Sequence, residues 1–320
     1  MIVTFTANPS LDRTIVLEER LVRGAVHRAA STRLEAGGKG VNVARVLSYA
    51  GLDVVPVLSL ADESIIRELA ALGMSASYPD NPDGLRVRTN ITLAESDGTT
   101  TKVNEPGPLL TRAHVEAATE RLLDAARGAS WVALSGSLPP GAPADWYATL
   151  VPKLKALGCR VAVDTSDAPL QAVVEALPGI AFDLIKPNSD EVAQLTGGDP
   201  VALEESARRG DPGPVVNAAR ALQARGITNV LATLGGAGAV LVTSDGAWFA
   251  SAPPITVRST VGAGDSSVAG FLLADSSGLP PERALQYAIA HGSAAAGLEG
   301  TSLPRPTDVD PDAVRVTRLG

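Results

Sequence analysis

Two hydrophobic periodicities alternate along most of the chain. From about residue 130 onward, short β-branched runs over 131–134 and 160–163 are separated by a stretch over 145–157 in which apolar residues recur at helical spacing. Further strands of the same kind are predicted over 180–185 and 229–233, with another helix over 214–225. Strands that alternate with helices are typical of βαβ units, so the pattern predicts a mostly parallel sheet covered by helices on both faces.

The first hundred residues have a different pattern. Core strands are predicted over 3–5 and 54–58 around a helix over 41–50, whereas the segments 13–33 and 85–103 have the composition of exposed strands. In the second segment a period of two separates an apolar side from a polar side. The apolar side holds Val87, Ile91 and Leu93, and the polar side holds Arg86, Arg88, Asn90 and Thr92. Such a polar face is expected to cover a polar ligand, although an ordinary solvated face would produce the same pattern.

These patterns predict an α/β fold in three layers, α/β/α, with a mostly parallel central sheet and a small β-strand lid. No repeat or linker divides the chain, so a single domain over 1–320 is expected, with the lid built from about 12–35 and 85–104. The polar stretch 197–214 is expected to run over the surface between two helices.

Composition and charge narrow the class of protein. The 320 residues carry 27 Lys and Arg against 35 Asp and Glu, a net charge of −8, and 45% of them are apolar. This balance excludes a disordered chain and argues against nucleic acid or an anionic membrane as the main partner. The single cysteine, Cys159, excludes a disulfide or structural-zinc scaffold. No signal peptide or membrane span is recognisable, so a cytoplasmic location is expected.

The strongest chemical signal is the segment Ser259-Thr-Val-Gly-Ala-Gly-Asp-Ser266, followed by a helical run of small residues over 267–274. Two glycines around an alanine allow a tight turn whose backbone amides, together with the helix dipole, favour a bound anion. Asp265 would repel that anion, so its position indicates another role: accepting the proton of a hydroxyl that attacks a phosphoryl group. A helix N-cap is the alternative role for this residue.

A second glycine cluster, Ala36-Gly-Gly-Lys-Gly-Val-Asn42, precedes the helix predicted over 41–50. Its spacing is not that of a Walker A loop. The glycines would let the backbone and Asn42 approach a polyhydroxylated ligand, and Lys39 would supply a charge for a phosphate. An ordinary turn before a helix is the alternative, but Lys39, Asn42 and Asp12 in the early Asn8-Pro-Ser-Leu-Asp12 turn all favour a ligand site.

Two further motifs lie where predicted strands end. In Leu184-Ile-Lys-Pro-Asn-Ser-Asp-Glu191, the side chains of Asn188 and Glu191 share a face of the first helical turn, which suits magnesium held largely through water or, alternatively, a simple cap. In Ala232-Thr-Leu-Gly-Gly-Ala-Gly-Ala239, the glycines follow a strand without the pattern of a dinucleotide fold. Four such glycine and cap motifs in this order are far more specific than any one of them.

Taken in order, these motifs resemble the ribokinase-like sugar kinases, and specifically their phosphofructokinase B branch. The match runs from Thr6-Ala-Asn-Pro-Ser-Leu-Asp12 through Gly37-Gly-Lys-Gly40, Ser135-Gly-Ser-Leu-Pro139 and Lys186-Pro-Asn188 to Thr260-Val-Gly-Ala-Gly-Asp-Ser266. Within this branch the motifs look most like those of the 1-phosphofructokinases, with the tagatose-6-phosphate kinases as close neighbours.

The resemblance implies a role for each matching residue. Asp265 would be the general base, and the amides of Gly262, Ala263 and Gly264 would form the anion hole for the transferring phosphoryl group. The substrate would be held by Asp12, Gly38, Lys39, Asn42, Arg88 and Ser137. The nucleotide side would consist of Lys186, Asn188, Thr233, Gly235 and Gly238, with Glu191 and Asn188 organising magnesium through water. A homodimer paired through the lid is also implied.

Two departures from the family pattern stand out. Where the family carries a glycine-containing G-x-D-x-x-G stretch, this chain has Ser59-Leu-Ala-Asp-Glu-Ser64, so that only Asp62 is left and sugar-side contacts near it are in question. Asp167 replaces a common glycine after Asp164-Thr-Ser166, and it would alter nucleotide contacts or cap a helix over 169–177.

The expected activity is therefore ATP- and Mg²⁺-dependent phosphorylation of a sugar phosphate, most specifically of fructose 1-phosphate to fructose 1,6-bisphosphate. Tagatose 6-phosphate or fructose 6-phosphate is the alternative acceptor. A sugar-phosphate sensor that has lost turnover is a less favoured alternative, because Asp265 is intact.

Overall fold

The buried strands lie in one nine-stranded sheet. The computed structural model describes residues 1–319, and in that range the sheet has the strand order β13-β12-β11-β10-β9-β8-β7-β1-β4. Its strands are β1 Ile2–Thr6, β4 Val54–Leu58, β7 Trp131–Ser135, β8 Arg160–Asp164, β9 Phe182–Ile185, β10 Ile227–Thr233, β11 Ala239–Thr243, β12 Gly246–Ala250 and β13 Val316–Leu319. From β4 to β10 neighbouring strands are parallel, and the hairpin β11–β12 and β13 add an antiparallel edge.

Ten α-helices cover this sheet. They are α1 Lys39–Tyr49, α2 Glu63–Ala71, α3 Arg112–Ala125, α4 Trp146–Ala156, α5 Asp167–Glu175, α6 Ser189–Thr196, α7 Pro200–Arg208, α8 Gly213–Gln223, α9 Ala263–Ser276 and α10 Pro281–Gly297 in residues 1–319. Apolar residues of α3 to α8 form the core on one face of the sheet, and those of α1, α9 and α10 form the core on the other. The predicted three-layer α/β/α fold is confirmed.

A second, four-stranded sheet draws its strands from the two segments predicted for the lid. Its order is β3-β2-β5-β6, with β2 Ser10–Leu17, β3 Ala29–Gly37, β5 Arg88–Ala94 and β6 Thr100–Asn104. Strands β2 and β5 are parallel neighbours, which places Asp12 opposite Asn90 on one face. The four strands are called the lid below.

One expectation for the main body is wrong. The stretch 197–214 is not only a surface excursion, because α7 occupies Pro200–Arg208 within it. The Asp199 side chain caps this helix by accepting from the Val201 amide, Pro200 stands in its first turn, and Leu203 and Ala207 are buried at a spacing of four. The polar residues between these signals conceal the short apolar face.

None of the helices in residues 1–319 has both the length and the apolar composition that a bilayer crossing requires.

Candidate active site

Asp265 lies at the centre of the site, in the first turn of α9. The helix begins after Gly262, whose φ of 74° lies in the left-handed region that glycine tolerates best. The Asp265 carboxylate is buried, and Asn42 of α1 donates its side-chain N–H to Asp265 Oδ2 at 2.8 Å. The first turn of α9 therefore contains both the buried carboxylate and residues of the predicted anion hole.

The environment of Asp265 makes its carboxyl group a stronger base. Burial raises the pKa of Asp265 to about 6, and the nearby Asp164 carboxylate adds to the rise, while Lys39 and the hydrogen bond from Asn42 oppose it. A carboxylate with this pKa is ionised at neutral pH and still basic enough to accept a proton, which suits a general base.

A buried ion-pair cluster lies beside this base. Asp164, at the end of β8, accepts from both Lys39 Nζ and Lys186 Nζ at 3.2 Å. Burial alone would raise the pKa of Asp164, but the two lysines hold it below its ordinary value. A Cβ built on Gly264 would lie 3.3 Å from Lys186 Nζ, so that ammonium group is next to the first turn of α9. The cluster thus concentrates positive charge where a phosphoryl group would meet Asp265.

Asn188 and Glu191 form a reciprocal capping box at the start of α6. Asn188 Oδ1 accepts from the Glu191 amide and Glu191 Oε2 accepts from the Asn188 amide, each at 2.8 Å. The capping alternative is therefore present in the structure.

The same region fits a hydrated magnesium ion. In residues 1–319 no group of three or more His, Cys, Asp or Glu is arranged to hold a metal directly. The buried Asp164 Oδ2 has no hydrogen-bond partner, however, and the charges of Asp164 and Glu191 affect each other. Hard carboxylate oxygens that leave room for water are the ligands that magnesium prefers.

The predicted nucleotide residues lie at the end of β10 and in the turns that follow β9 and β10. The Thr233 amide donates to the Pro187 carbonyl at 2.9 Å, which ties the Lys186-Pro187-Asn188 turn to the end of β10. A 3₁₀ turn over Gly235–Ala237 comes next, and Gly238 approaches the Ala250 carbonyl closely. These turns lie at the carboxyl ends of adjacent strands, where open α/β sheets bind ligands.

The predicted sugar residues lie at the base of the lid. Asp12 Oδ1 accepts from Ser10 Oγ at 2.8 Å and from Asn90 Nδ2 at 3.0 Å, and burial raises the pKa of Asp12. A Cβ on Gly37 would lie 2.3 Å from the Asp12 carboxyl carbon, so only glycine allows the neighbouring turn to come this close. That turn continues into Gly38, the N-cap of α1, four residues before Asn42.

Arg88 and Ser137 line one cavity of about 550 Å³ between β6, the turn after β7 and the start of α5. Arg88 Nη1 donates to the Glu105 carbonyl at 3.2 Å, and its Nε is buried without a partner. The Val87 amide donates to Asp62 Oδ2 at 3.0 Å, so the acid left from the family's glycine stretch holds the backbone just before Arg88.

Two predicted residues lie in surroundings different from those expected. Lys39 is paired with Asp164, and Asp164, Asp265 and Glu191 raise its pKa against the effect of burial, so Lys39 lies in the ion-pair cluster beside Asp265. Asp167 lines the cavity of Arg88 and Ser137 rather than the nucleotide turns, and its φ of 55° makes it the one non-glycine residue in 1–319 with a positive φ. That backbone conformation explains why glycine is common at this position.

Comparison with known proteins identifies the family. The model of the pfkB family carbohydrate kinases matches residues 6–308. The chain belongs to the pfkB family. A 1-phosphofructokinase of Xanthomonas campestris pv. campestris is 39% identical over 275 residues, which cover 85% of this kinase and 83% of that protein. A 1-phosphofructokinase of Rhodobacter capsulatus is 36% identical over 310 residues, and the alignment covers 95% of this kinase and 93% of that protein.

Solved structures agree with the fold of this pfkB kinase. Phosphofructokinase-2 from Escherichia coli, in complex with substrates and products, superposes with a TM-score of 0.85 at 27% identity over 96% of each chain. Ribokinase from Arabidopsis thaliana, complexed with ribose and ATP, has a TM-score of 0.70 at 21% identity, and the alignment covers 98% of this chain and 96% of that one. The resemblance drawn from the motifs is confirmed, and the protein is a phosphotransferase.

Sequence reasoning left out one central residue of this kinase. Asp164 joins Lys39 to Lys186, but in the sequence it stands out only as the first residue of the Asp164-Thr-Ser166 segment before Asp167. The sequence did contain a signal for Asp164: a charged residue ends a buried strand, and a buried aspartate is rare unless it has a partner.

Proposed function

We propose that this pfkB kinase transfers the γ-phosphoryl group of ATP to O6 of fructose 1-phosphate and forms fructose 1,6-bisphosphate. The observation that carries the proposal is the buried Asp265 at the start of α9, with a pKa of about 6 and a hydrogen bond from Asn42. Two 1-phosphofructokinases, at 39% and 36% identity to this chain, support the choice of acceptor.

In the proposed reaction Asp265 accepts the proton of the O6 hydroxyl. The new bond joins O6 to the γ-phosphorus while the bond to the β–γ bridging oxygen breaks and ADP leaves. The amides of Gly262, Ala263 and Gly264, aided by the α9 dipole, stabilise the negative charge on the equatorial oxygens. Lys39 and Lys186 add fixed positive charge, and the short distance from Lys186 to Gly264 supports this role.

Magnesium and the nucleotide complete the proposed site. Glu191 and Asp164, with Asn188 nearby, would hold the ion through water, and the bound ion would neutralise charge on the ATP phosphates. Lys186, Thr233, Gly235 and Gly238 would line the nucleotide side, which is supported by their position at the carboxyl ends of β9 and β10.

On the substrate side, Asp12 and Asn42 would bind sugar hydroxyls with the help of the Gly38 backbone. Arg88 and Ser137 would bind the phosphate that the substrate already carries, a role supported by the unpartnered Arg88 Nε and by the cavity that both residues line. Lys39 is reassigned in this proposal from the substrate phosphate to the transferring one, because it is paired with Asp164.

The proposal includes a homodimer formed through the lid. Supporting it, strand β6 is exposed along its whole length, and Val26 and Val103 are 91% and 55% exposed. The structure of phosphofructokinase-2 from E. coli has also been described in a tetrameric inhibited form, so the oligomeric state needs direct measurement by sedimentation. The single-domain organisation and the cytoplasmic location stay predictions.

The test is ADP release with Mg²⁺ and ATP across fructose 1-phosphate, fructose 6-phosphate, tagatose 6-phosphate, fructose, ribose and adenosine. Highest turnover with fructose 1-phosphate is expected. Highest turnover with another phosphosugar would leave the proposed mechanism intact and identify that phosphosugar as the acceptor. Activity confined to unphosphorylated acceptors would refute the roles of Arg88 and Ser137, and binding without turnover would favour a sensor.

A further inference from the structure

Tyr147 carries a buried hydroxyl group beneath the candidate active site. The residue belongs to α4, and its side chain has no solvent exposure. The hydroxyl oxygen lies 3.0 Å from the carbonyl oxygens of both Ser135 and Gly136, so its single proton can be donated to either. A phenylalanine would fill the same apolar space, which means that the hydroxyl group serves these contacts rather than the packing.

The hydroxyl lies under the carboxyl ends of three neighbouring strands. Strand β7 ends at Ser135, and the Gly136 carbonyl that follows also accepts from Thr165 Oγ1, just after β8, at 2.9 Å. The backbone of Ala7, just after β1, lies close enough to the same phenol to oppose the rise of its pKa. Burial and the charge of Asp164 raise the pKa of Tyr147, so the phenol stays protonated and remains a donor throughout the working pH range.

The turn that Tyr147 supports connects two parts of the site. Gly136 has a φ of 96°, and its amide donates to the Asp164 carbonyl at 2.9 Å. A Cβ on Gly136 would lie 3.7 Å from Lys39 Cβ, so the turn is close to the reaction centre. The next residue, Ser137, lines the cavity that also contains Arg88.

We propose that Tyr147 is a positioning residue, which holds the Ser135-Gly136-Ser137 turn in the conformation that aims Ser137 at the phosphate of the acceptor. This inference rests on the proposed function, because it concerns the acceptor side of that site. Tyr147 touches neither substrate and acts only through the turn.

The first test is Tyr147→Phe, measured by steady-state kinetics with the phosphosugar that the wild type uses best. The KM for the phosphosugar is expected to rise about 10-fold, the size of one lost oriented hydrogen bond, while kcat and the KM for ATP stay within about 2-fold. A uniform loss of folded protein would lower the apparent kcat and leave both KM values unchanged.

Thr119→Val is the matched control. Trp146, the neighbour of Tyr147 on α4, donates its indole N–H to Thr119 Oγ1 at 2.9 Å, away from the three turns. Removing this hydrogen bond should lower the melting temperature about as much as Tyr147→Phe does, without changing the KM for the phosphosugar. Equal KM changes in both variants would reduce Tyr147 to an ordinary core residue and overturn the proposal.

Thr165→Val supplies a double-mutant cycle, because Thr165 and Tyr147 donate to the same Gly136 carbonyl. The combined variant should raise the KM by less than the product of the two single effects. Independent effects, or an unchanged KM in Tyr147→Phe, would refute the positioning role.

The wild type is assayed first, so that the two ideas fail separately. A wild type without phosphosugar turnover refutes the proposed function, and the inference about Tyr147 with it. If the wild type turns over a phosphosugar and Tyr147→Phe has the same KM for it, only the inference about Tyr147 is refuted.

Discussion

Replacing Asp265 with asparagine should strongly reduce turnover and at the same time stabilise the fold. The substitution keeps size and polarity but removes the group that accepts the proton, and general-base removal typically lowers kcat by about 10²- to 10⁴-fold. It also removes a buried negative charge. A pKa held at about 6 instead of the ordinary 3.8 means that the ionised carboxylate costs the folded state about 3 kcal/mol at pH 7.

The sign of the pH dependence follows from the direction of this pKa. Because the folded protein binds the Asp265 proton more tightly than the unfolded chain does, the cost is present above pH 6 and disappears as the pH falls towards 3.8. It should drop from about 3 kcal/mol at pH 7 to roughly half of that at pH 5. For a chain of this length, Asp265→Asn should therefore melt about 4–5 °C higher than the wild type at pH 7 and about 2 °C higher at pH 5.

The assay combines thermal unfolding at the two pH values with ADP release at pH 7. Asp124→Asn is the control, because it makes the same chemical change at an aspartate whose side chain is 69% exposed on α3, and it should alter neither property. An Asp265→Asn variant that melts at or below the wild-type temperature and retains turnover would refute both the burial argument and the catalytic role.

Three further predictions concern pH, the phosphate and the base of the lid. The wild-type kcat/KM should fall about tenfold per pH unit below about pH 6 as Asp265 is protonated, and a flat profile down to pH 5 would contradict this. Arg88→Lys should raise the KM for the phosphosugar about tenfold with little change in kcat, because a lysine cannot form the bidentate contact, and an unchanged KM in Arg88→Ala would exclude the contact. Glu35→Gln should lower the free energy of unfolding by about 3–5 kcal/mol, because the buried Arg45, 3.1 Å from Glu35 in the wild type, would lose its carboxylate partner. Denaturant unfolding measures this change, and a free energy of unfolding within about 1 kcal/mol of the wild type would contradict the prediction.

The sequence predicts the layers of this fold better than its edges. Helical spacing located α4 and α8 within a few residues, because each buries a broad apolar stripe. The antiparallel edge was missed, although the two-residue loop Ser244-Asp245 and the first residue of β12, Gly246, contain the Asp-Gly signal of a hairpin. Strand β13 has four residues and no fully buried side chain, so nothing in its pattern distinguishes it from a tail.

For the site, the positions of the turns could be predicted from the sequence, but the ion pairs between their residues could not. Glycine clusters and strand ends locate Gly37, Gly262 and Lys186, because special backbone conformations and parallel topology restrict which residues stand there. The shared contact of Lys39 and Lys186 with Asp164 joins the start of α1, the turn after β9 and the end of β8, which are far apart in the sequence. No periodicity in the sequence specifies which cation pairs with which anion. The hydrogen bonds of the buried Tyr147 hydroxyl group cannot be predicted from a helical pattern either.

The parallel pairing of β2 with β5 determines when the lid can form during folding. The register joins Ser10 to Arg88 and Val16 to Ala94, while β3, α1, β4 and α2 all lie between them in the chain. Closing so long a loop is entropically slow, so these two strands are expected to pair only after the main sheet has placed both of their starting points. By the same reasoning the lid should be a separate unit of low local stability, whose backbone amides exchange with solvent deuterium well before those of β1 and β7.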